Sequence, residues 1–203
     1  MRRTTVSPLP FSPLPFSPLP FSRSFASAAA CAFVLAAAVV GCGGAAPQPA
    51  AAPRASSLLA TLQSSGLDPA KLPDSPKLLD DALRDRVMDS FTVSLGLKCA
   101  GCHDGVNYEA STPNKRVALG MWQHFVRGLK LAGGQPLWCD SCHQGRATFL
   151  DRSDDDALAA WMDANFVGKL VRSDGGKHAC ATCHGTPFDG HFLDGWQKGS
   201  VGG

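Results

Sequence analysis

Cys99-Ala100-Gly101-Cys102-His103, Cys139-Asp140-Ser141-Cys142-His143 and Cys180-Ala181-Thr182-Cys183-His184 are three copies of one pattern, Cys-x-x-Cys-His. Two thiols at this spacing stand on one turn of chain, and the imidazole that follows reaches the same side. This is the attachment signature of c-type haem: each thiol adds to one vinyl group of a porphyrin, and the histidine binds its iron. The reading assigns Cys99, Cys102, Cys139, Cys142, Cys180 and Cys183 to thioether bonds. His103, His143 and His184 become proximal iron ligands, and three covalently bound haem c groups follow.

Other uses of paired cysteines fit less well. Structural zinc takes four ligands, usually as two knuckles, and three pairs leave one without a partner. A thioredoxin-like redox pair needs a βαβ setting, and no alternating strand pattern surrounds these motifs. Disulfides would leave the repeated histidine unexplained. Of the 8 cysteines, only Cys31 and Cys42 fall outside the motifs.

Those two lie in or beside an apolar, Ala-rich run from Phe25 to Val40, preceded by Arg23. The run is short for a membrane span and suits the core of a signal peptide. It ends in Val39-Val40-Gly41-Cys42-Gly43, which looks like a bacterial lipobox with Cys42 as the lipidated residue. Residues 1–41 are then a signal peptide, residues 42–74 a lipidated and largely flexible tether, and residues 75–203 the haem domain. Gly43 in place of Asp leans, by resemblance to bacterial sorting rules, toward the outer membrane. The expected location is the cell envelope of a bacterium, lipid-anchored and facing the periplasm. Haem attachment after export agrees with it. The leader also carries Ser-Pro-Leu-Pro-Phe three times in tandem, at 7–11, 12–16 and 17–21; no function is assigned to it.

Cleavage before Cys42 would remove Arg2, Arg3 and Arg23 but none of the 17 acidic residues, leaving a nearly neutral protein part. No basic stripe points to nucleic acid. Only about 40–50 residues accompany each haem, by the length prior for compact domains. The porphyrins must therefore supply much of the apolar interior.

A helical pattern precedes each motif. Ser75-Pro76 opens one carrying Leu78, Leu79, Ala82, Leu83, Val87, Met88 and Phe91, with Gly96 just past its end. Thr112-Pro113 opens a second, through Ala118, Met121, Phe125, Val126 and Leu129, ending at Gly133-Gly134. Ser153-Asp154-Asp155-Asp156 opens a third with Leu158, Met162, Phe166, Val167 and Leu170, ending at Gly175-Gly176. The second and third units superimpose without gaps: Met121 precedes His143 by 22 residues, and Met162 precedes His184 by 22. The expected fold is mostly α, three helix–turn–CxxCH units packed around haems, with little or no β-sheet.

Past the initiator, the chain has three methionines, Met88, Met121 and Met162, each on the helix ahead of one motif. A thioether is a soft ligand that raises the potential of haem iron, so these are candidate distal ligands, although Met is also a routine core filler. His124, His178 and His191 are the rivals. His124 lies one turn after Met121 and is the alternative for the second haem. Bis-His haems would sit at lower potential.

The stretch Val87–His103, continued by Thr112–Met121, resembles the photosynthetic reaction-centre cytochrome c subunit and its relatives in non-photosynthetic bacteria. The resemblance covers residues 79–145; the third unit joins it by internal repetition. It implies a methionine on the preceding helix as distal ligand, Met88 for the haem on His103 and Met121 or His124 for the next, and an N-terminal lipid anchor matching Cys42. Reaction-centre subunits carry four haems and this chain has motifs for three, so photosynthesis is not implied.

The expected function is a triheme, membrane-tethered carrier shuttling electrons between redox partner proteins in the cell envelope, without catalytic residues. The alternatives are a small multihaem reductase or haem sensor, which needs one iron with an open position, and a zinc-stabilised interaction module.

Overall fold

A computed structural model describes residues 50–199. The proposed leader, its Pro-rich repeat, Cys31 and Cys42 lie outside the described residues. No described helix is long and apolar enough to cross a membrane.

The fold is mostly helical. Helix α1 (Leu59–Ser64) is followed by a 3-10 turn at Pro76–Leu78 and the longest helix, α2 (Asp81–Leu95). The Ser75-Pro76 signal opens only the 3-10 turn. The α-helix itself starts at Asp80, whose carboxylate accepts from Leu83 N–H at 3.0 Å. Ser75 Oγ caps the 3-10 turn by accepting from Lys77 N–H, and the extended backbone at Leu79 separates that turn from the helix that Asp80 caps. At the other end Gly96 adopts φ +64°, the left-handed turn expected of a helix-stopping glycine.

Helix α3 (Pro113–Met121) begins as anticipated, with Thr112 Oγ1 accepting from Lys115 N–H and Pro113 in the first turn. It widens into a π-helical turn at Trp122–Val126, and strand β1 (Leu129–Leu131) follows. After α4 (Cys139–Cys142), the third unit repeats this course: α5 (Asp155–Met162) capped by Asp154, a π-helical turn at Asp163–Val167, strand β2 (Leu170–Arg172) and α6 (Cys180–His184). In both units the methionine is the last α-helical residue before the π turn.

The two strands pair antiparallel, Leu129 with Arg172, Lys130 with Val171 and Leu131 with Leu170. Only the central pair, Lys130 with Val171, joins counterpart positions; the flanking partners lie two residues from their counterparts, as antiparallel pairing of equivalent strands requires. Leu129 and Leu170 are buried there with Leu137, flanked by Phe125, Leu131 and Phe166. The strands are short and read as the tail of a helical pattern, which is why the sequence suggested helix as far as the glycines.

The main apolar core gathers Leu59, Leu62, Leu67 and Leu72 against Leu83, Val87, Trp122, Val126 and Trp138. Trp122 and Trp138 meet edge to face at 5.6 Å. Their indole N–H groups are both satisfied, by Pro73 O at 2.8 Å and Ser90 Oγ at 3.0 Å, as burial of an indole requires.

This corrects the expectation of a largely flexible tether over residues 42–74: from Ala50 onward the segment is packed. Four leucines there leave water together, each contributing about 1.5–3 kcal/mol when fully buried. The Ala/Pro/Ser stretch before α1 is tied to the second motif. Asp140, almost fully buried, accepts from Ser56 Oγ at 2.5 Å, Ser57 N–H at 2.8 Å and Ser57 Oγ at 3.0 Å. Arg54 N–H donates to Ser141 O and Trp161 Nε1–H to Ala50 O.

The C-terminal helix α7 (Phe192–Lys198) packs on α3. Trp196 lies over Gly120, where a Cβ would stand 2.5 Å from the indole. Phe192 and Trp196, one turn apart, are the signal for the helix.

Candidate haem sites

Each motif forms a tight turn whose geometry comes from its own backbone. In the first, a 3-10 turn at Cys99–Gly101, His103 N–H donates to Cys99 O at 2.8 Å. The start of α3 clamps this turn from outside: Thr112 Oγ1 donates to Cys102 O at 2.5 Å and Asn114 Nδ2 to Gly101 O at 2.6 Å. The second and third motifs are short α turns closed by a hydroxyl two residues after the first cysteine. Ser141 Oγ accepts from Trp138 N–H and Thr182 Oγ1 from Ala179 N–H, both at 3.0 Å.

The three imidazoles share one arrangement. His103 Nδ1 bonds Tyr108 O at 3.1 Å, His143 Nδ1 bonds Arg146 O at 2.9 Å, and His184 Nδ1 bonds Asp189 O at 2.8 Å. A carbonyl can only accept, so the proton sits on Nδ1 and the lone pair on Nε2. This is the tautomer a metal-binding histidine needs, fixed by a partner on the other nitrogen. An aromatic ring lies beside each: Tyr108 at 4.7 Å, Phe149 at 5.1 Å and Phe188 at 4.3 Å.

The second motif borders a cavity of about 490 Å³, within the size range of small-molecule and cofactor pockets. Cys139, His143 and Met121 line it together, with Phe91, Leu95, Trp122 and Phe149 among its apolar walls. A smaller adjoining cavity of about 80 Å³ is lined by Cys139, Cys142, His143 and, again, Met121. Cys102 of the first motif also lines the larger cavity, so the first and second attachment sites share a wall.

Burial sets the chemistry of this site. It pushes the thiols of Cys139 and Cys142 up to about 12, with the Asp140 carboxylate adding to the effect. It also lowers His143, against opposing backbone hydrogen bonds at Arg146 and Ala147, and so favours the neutral imidazole. Cys102 and Cys183 are raised by burial as well. An uncharged thioether is the form of cysteine sulfur that an apolar wall holds at least cost. Among the described residues, no three His, Cys, Asp or Glu side chains converge as a metal-binding group. An iron already held by four porphyrin nitrogens does not require such a group, and the residues fit it.

The candidate distal ligands are placed unequally. Met121 lines both cavities with His143; Met88 and Met162 are half-buried and line neither. His124 is exposed, lines neither cavity and stacks on Trp196 at 5.2 Å, with the ring planes 15° apart. His178 is partly buried with its Nδ1 unpartnered. His191 is exposed, 3.6 Å from Asp194. Sequence reasoning missed Asp140, Phe149, Leu193 and Trp196. The first sits inside a motif whose two central positions are free to vary, and the others become neighbours only through the fold.

Residues 87–185 match the family described as "Cytochrome c7 and related cytochrome c". No curated protein and no solved structure matches the chain. The family match supports a multihaem c-type cytochrome with covalently bound haem. Cytochromes of that kind are electron carriers and not enzymes.

Proposed function

We propose that this multihaem electron-transfer cytochrome carries three haem c groups, on Cys99/Cys102/His103, Cys139/Cys142/His143 and Cys180/Cys183/His184, and relays electrons between redox partners at the bacterial envelope. The supporting observation is that Nδ1 is tied to a main-chain carbonyl at all three motif histidines, with Nε2 left for iron. When bound, the haem supplies a one-electron iron couple. The chain's part is to hold the porphyrin, exclude water from it and set its potential through axial ligand, burial and hydrogen bonding.

At the second site Met121 is the distal ligand in preference to His124. It shares both cavities with His143, while the His124 ring is occupied by Trp196. By repetition Met162 serves the third iron and Met88 the first. A His/Met pair in the apolar second pocket places that couple at the higher end of the haem range. The shared wall at Cys102 supports direct exchange between the first and second haems.

Lipidation at Cys42 would confine the carrier to a membrane surface, the outer membrane by the Gly43 rule. The resemblance of residues 79–145 to the reaction-centre cytochrome subunit supports the helix–Met–CxxCH arrangement and the anchor without implying photosynthesis.

The test is the intact mass and pyridine haemochrome spectrum of the matured protein, followed by near-infrared magnetic circular dichroism of its oxidised form. Three covalent haems with His/Met signatures support the reading. A colourless protein, or rapid carbon monoxide binding by the reduced form at one iron, would overturn it.

A further inference from the structure

The second-site cavity has one cationic lining residue. Arg152 stands in the loop that leads from His143 to α5, and Ala147, Thr148, Phe149 and Leu150 of the same loop line the cavity beside it. Its guanidinium makes no hydrogen bond or ion pair among the described residues. Arg84 is engaged with Asp81, Arg116 with the carbonyls of Trp196 and Gln197, Arg127 with Asp74 and Arg172 with Asp174, while Arg54, Arg86 and Arg146, whose guanidinium groups have no partner among the described residues either, do not line the cavity. The loop around Arg152 is held on both sides. Asp151 accepts from Ser153 N–H and Oγ, and Asp154 caps α5. Arg152 is exposed and therefore lies at the rim of the cavity rather than in its floor.

A haem c has two carboxylates on the porphyrin edge away from its thioether bonds. With Cys139 and Cys142 fixing one edge in the wall, those carboxylates fall on the far side of the pocket and must meet water or a donor. An unpaired guanidinium at a cavity rim is the group whose planar fork matches a carboxylate bidentately. Thr148 and Gln197 are uncharged donors on the lining, Asn114 already donates to Gly101 O, and Asp194 is the lining's one anion.

We propose that Arg152 is a positioning residue for the second haem, pairing with one of its propionates and raising the potential of that iron by offsetting its negative charge. The inference rests on the assignment of a haem to Cys139, Cys142 and His143. A cation near the porphyrin edge stabilises the ferrous state, which carries one more negative charge than the ferric. Its loss should also expose the propionate to protonation, making the potential depend more steeply on pH.

The experiment is a spectroelectrochemical titration of the full matured protein beside Arg152→Gln, Arg152→Lys and Arg86→Gln, the last removing an exposed charge on α2. Haem content is measured first by pyridine haemochrome; its absence in the unsubstituted protein defeats the underlying assignment and not the role of Arg152. With three haems present, Arg152→Gln should lower one midpoint, the same one that moves in Met121→His. The expected loss is about tenfold in the reduction equilibrium, or about 59 mV for a one-electron couple. The slope of that midpoint against pH should steepen, and Arg152→Lys should restore most of both. An unchanged midpoint and pH slope in Arg152→Gln, or an equal shift in Arg86→Gln, overturns the proposal.

Discussion

Phe125 and Phe166 hold the same position in successive units, and their rings meet at 6.3 Å, tilted by 54°. They sit over the paired strands with Leu129 and Leu170, so one small apolar joint unites the second and third units. Truncating either ring removes part of both units' support. Phe166→Ala should cost about 3 kcal/mol, the low end for a phenylalanine deletion because the ring is only partly buried. Guanidinium denaturation of the holoprotein measures it; a cost below about 0.5 kcal/mol would mean the joint carries no weight.

Met121 and His124 are separable by substitution. Met121→Ala should lower one midpoint potential and abolish one His/Met signature in the near-infrared spectrum, whereas His124→Ala should leave all three unchanged. The reverse pattern would move the distal ligand to the histidine and free Trp196 of its stacking partner.

Gly120 admits α7. A methyl group there would stand 2.5 Å from two ring atoms of Trp196. Gly120→Ala should push the indole off α3 and destabilise the protein by about 1–3 kcal/mol, the usual range for overpacking. Tryptophan fluorescence should shift to the red as Trp196 meets water. Restoration by the added truncation Trp196→Leu would identify the clash as the cause.

Asp140 holds the amino-terminal strap. Its carboxylate takes three donors from Ser56 and Ser57 in a nearly buried position. Asp140→Ala leaves them unpaired and should cost about 1–3 kcal/mol. Trypsin should then cut faster after Arg54 while haem content stays the same. Unchanged cleavage kinetics would show that the strap is held by its leucines alone.

Asp174 reports the turn after β2. The Arg172 guanidinium and Gly176 N–H hold its carboxyl well below the usual carboxylate range. A folded-state pKa below the unfolded value means the turn is favoured above about pH 3.9 and loses that support as acid protonates the carboxylate. Carbon-13 NMR should find Asp174 still ionised at pH 3, and Arg172→Gln should bring its titration back toward the ordinary value. Titration near pH 4 in the unsubstituted protein would contradict the arrangement.

The parts of this fold written most plainly in the chain are those where a few residues carry a local obligation. Thr112-Pro113 starts a helix, Gly96 stops one, and the repeat from Met121 to His143 returns from Met162 to His184. The parts that escaped depend on distant partners. Ala50 to Ser57 is poor in apolar side chains, and nothing in it announces that Asp140 and Trp161 will bind it. Leu129-Lys130-Leu131 forms a strand only because its counterpart lies opposite. The choice between Met121 and His124 was open at the level of helical spacing, since one turn separates them. It depends on which side of α3 receives Trp196.

The carbonyl bond at each motif imidazole gives the socket a polarity. A ring turned over to present Nδ1 would have to break with its own main chain and leave an oxygen unserved, so docking is one-way at all three positions. The main chain, and not an incoming metal, thus decides which ring nitrogen is on offer.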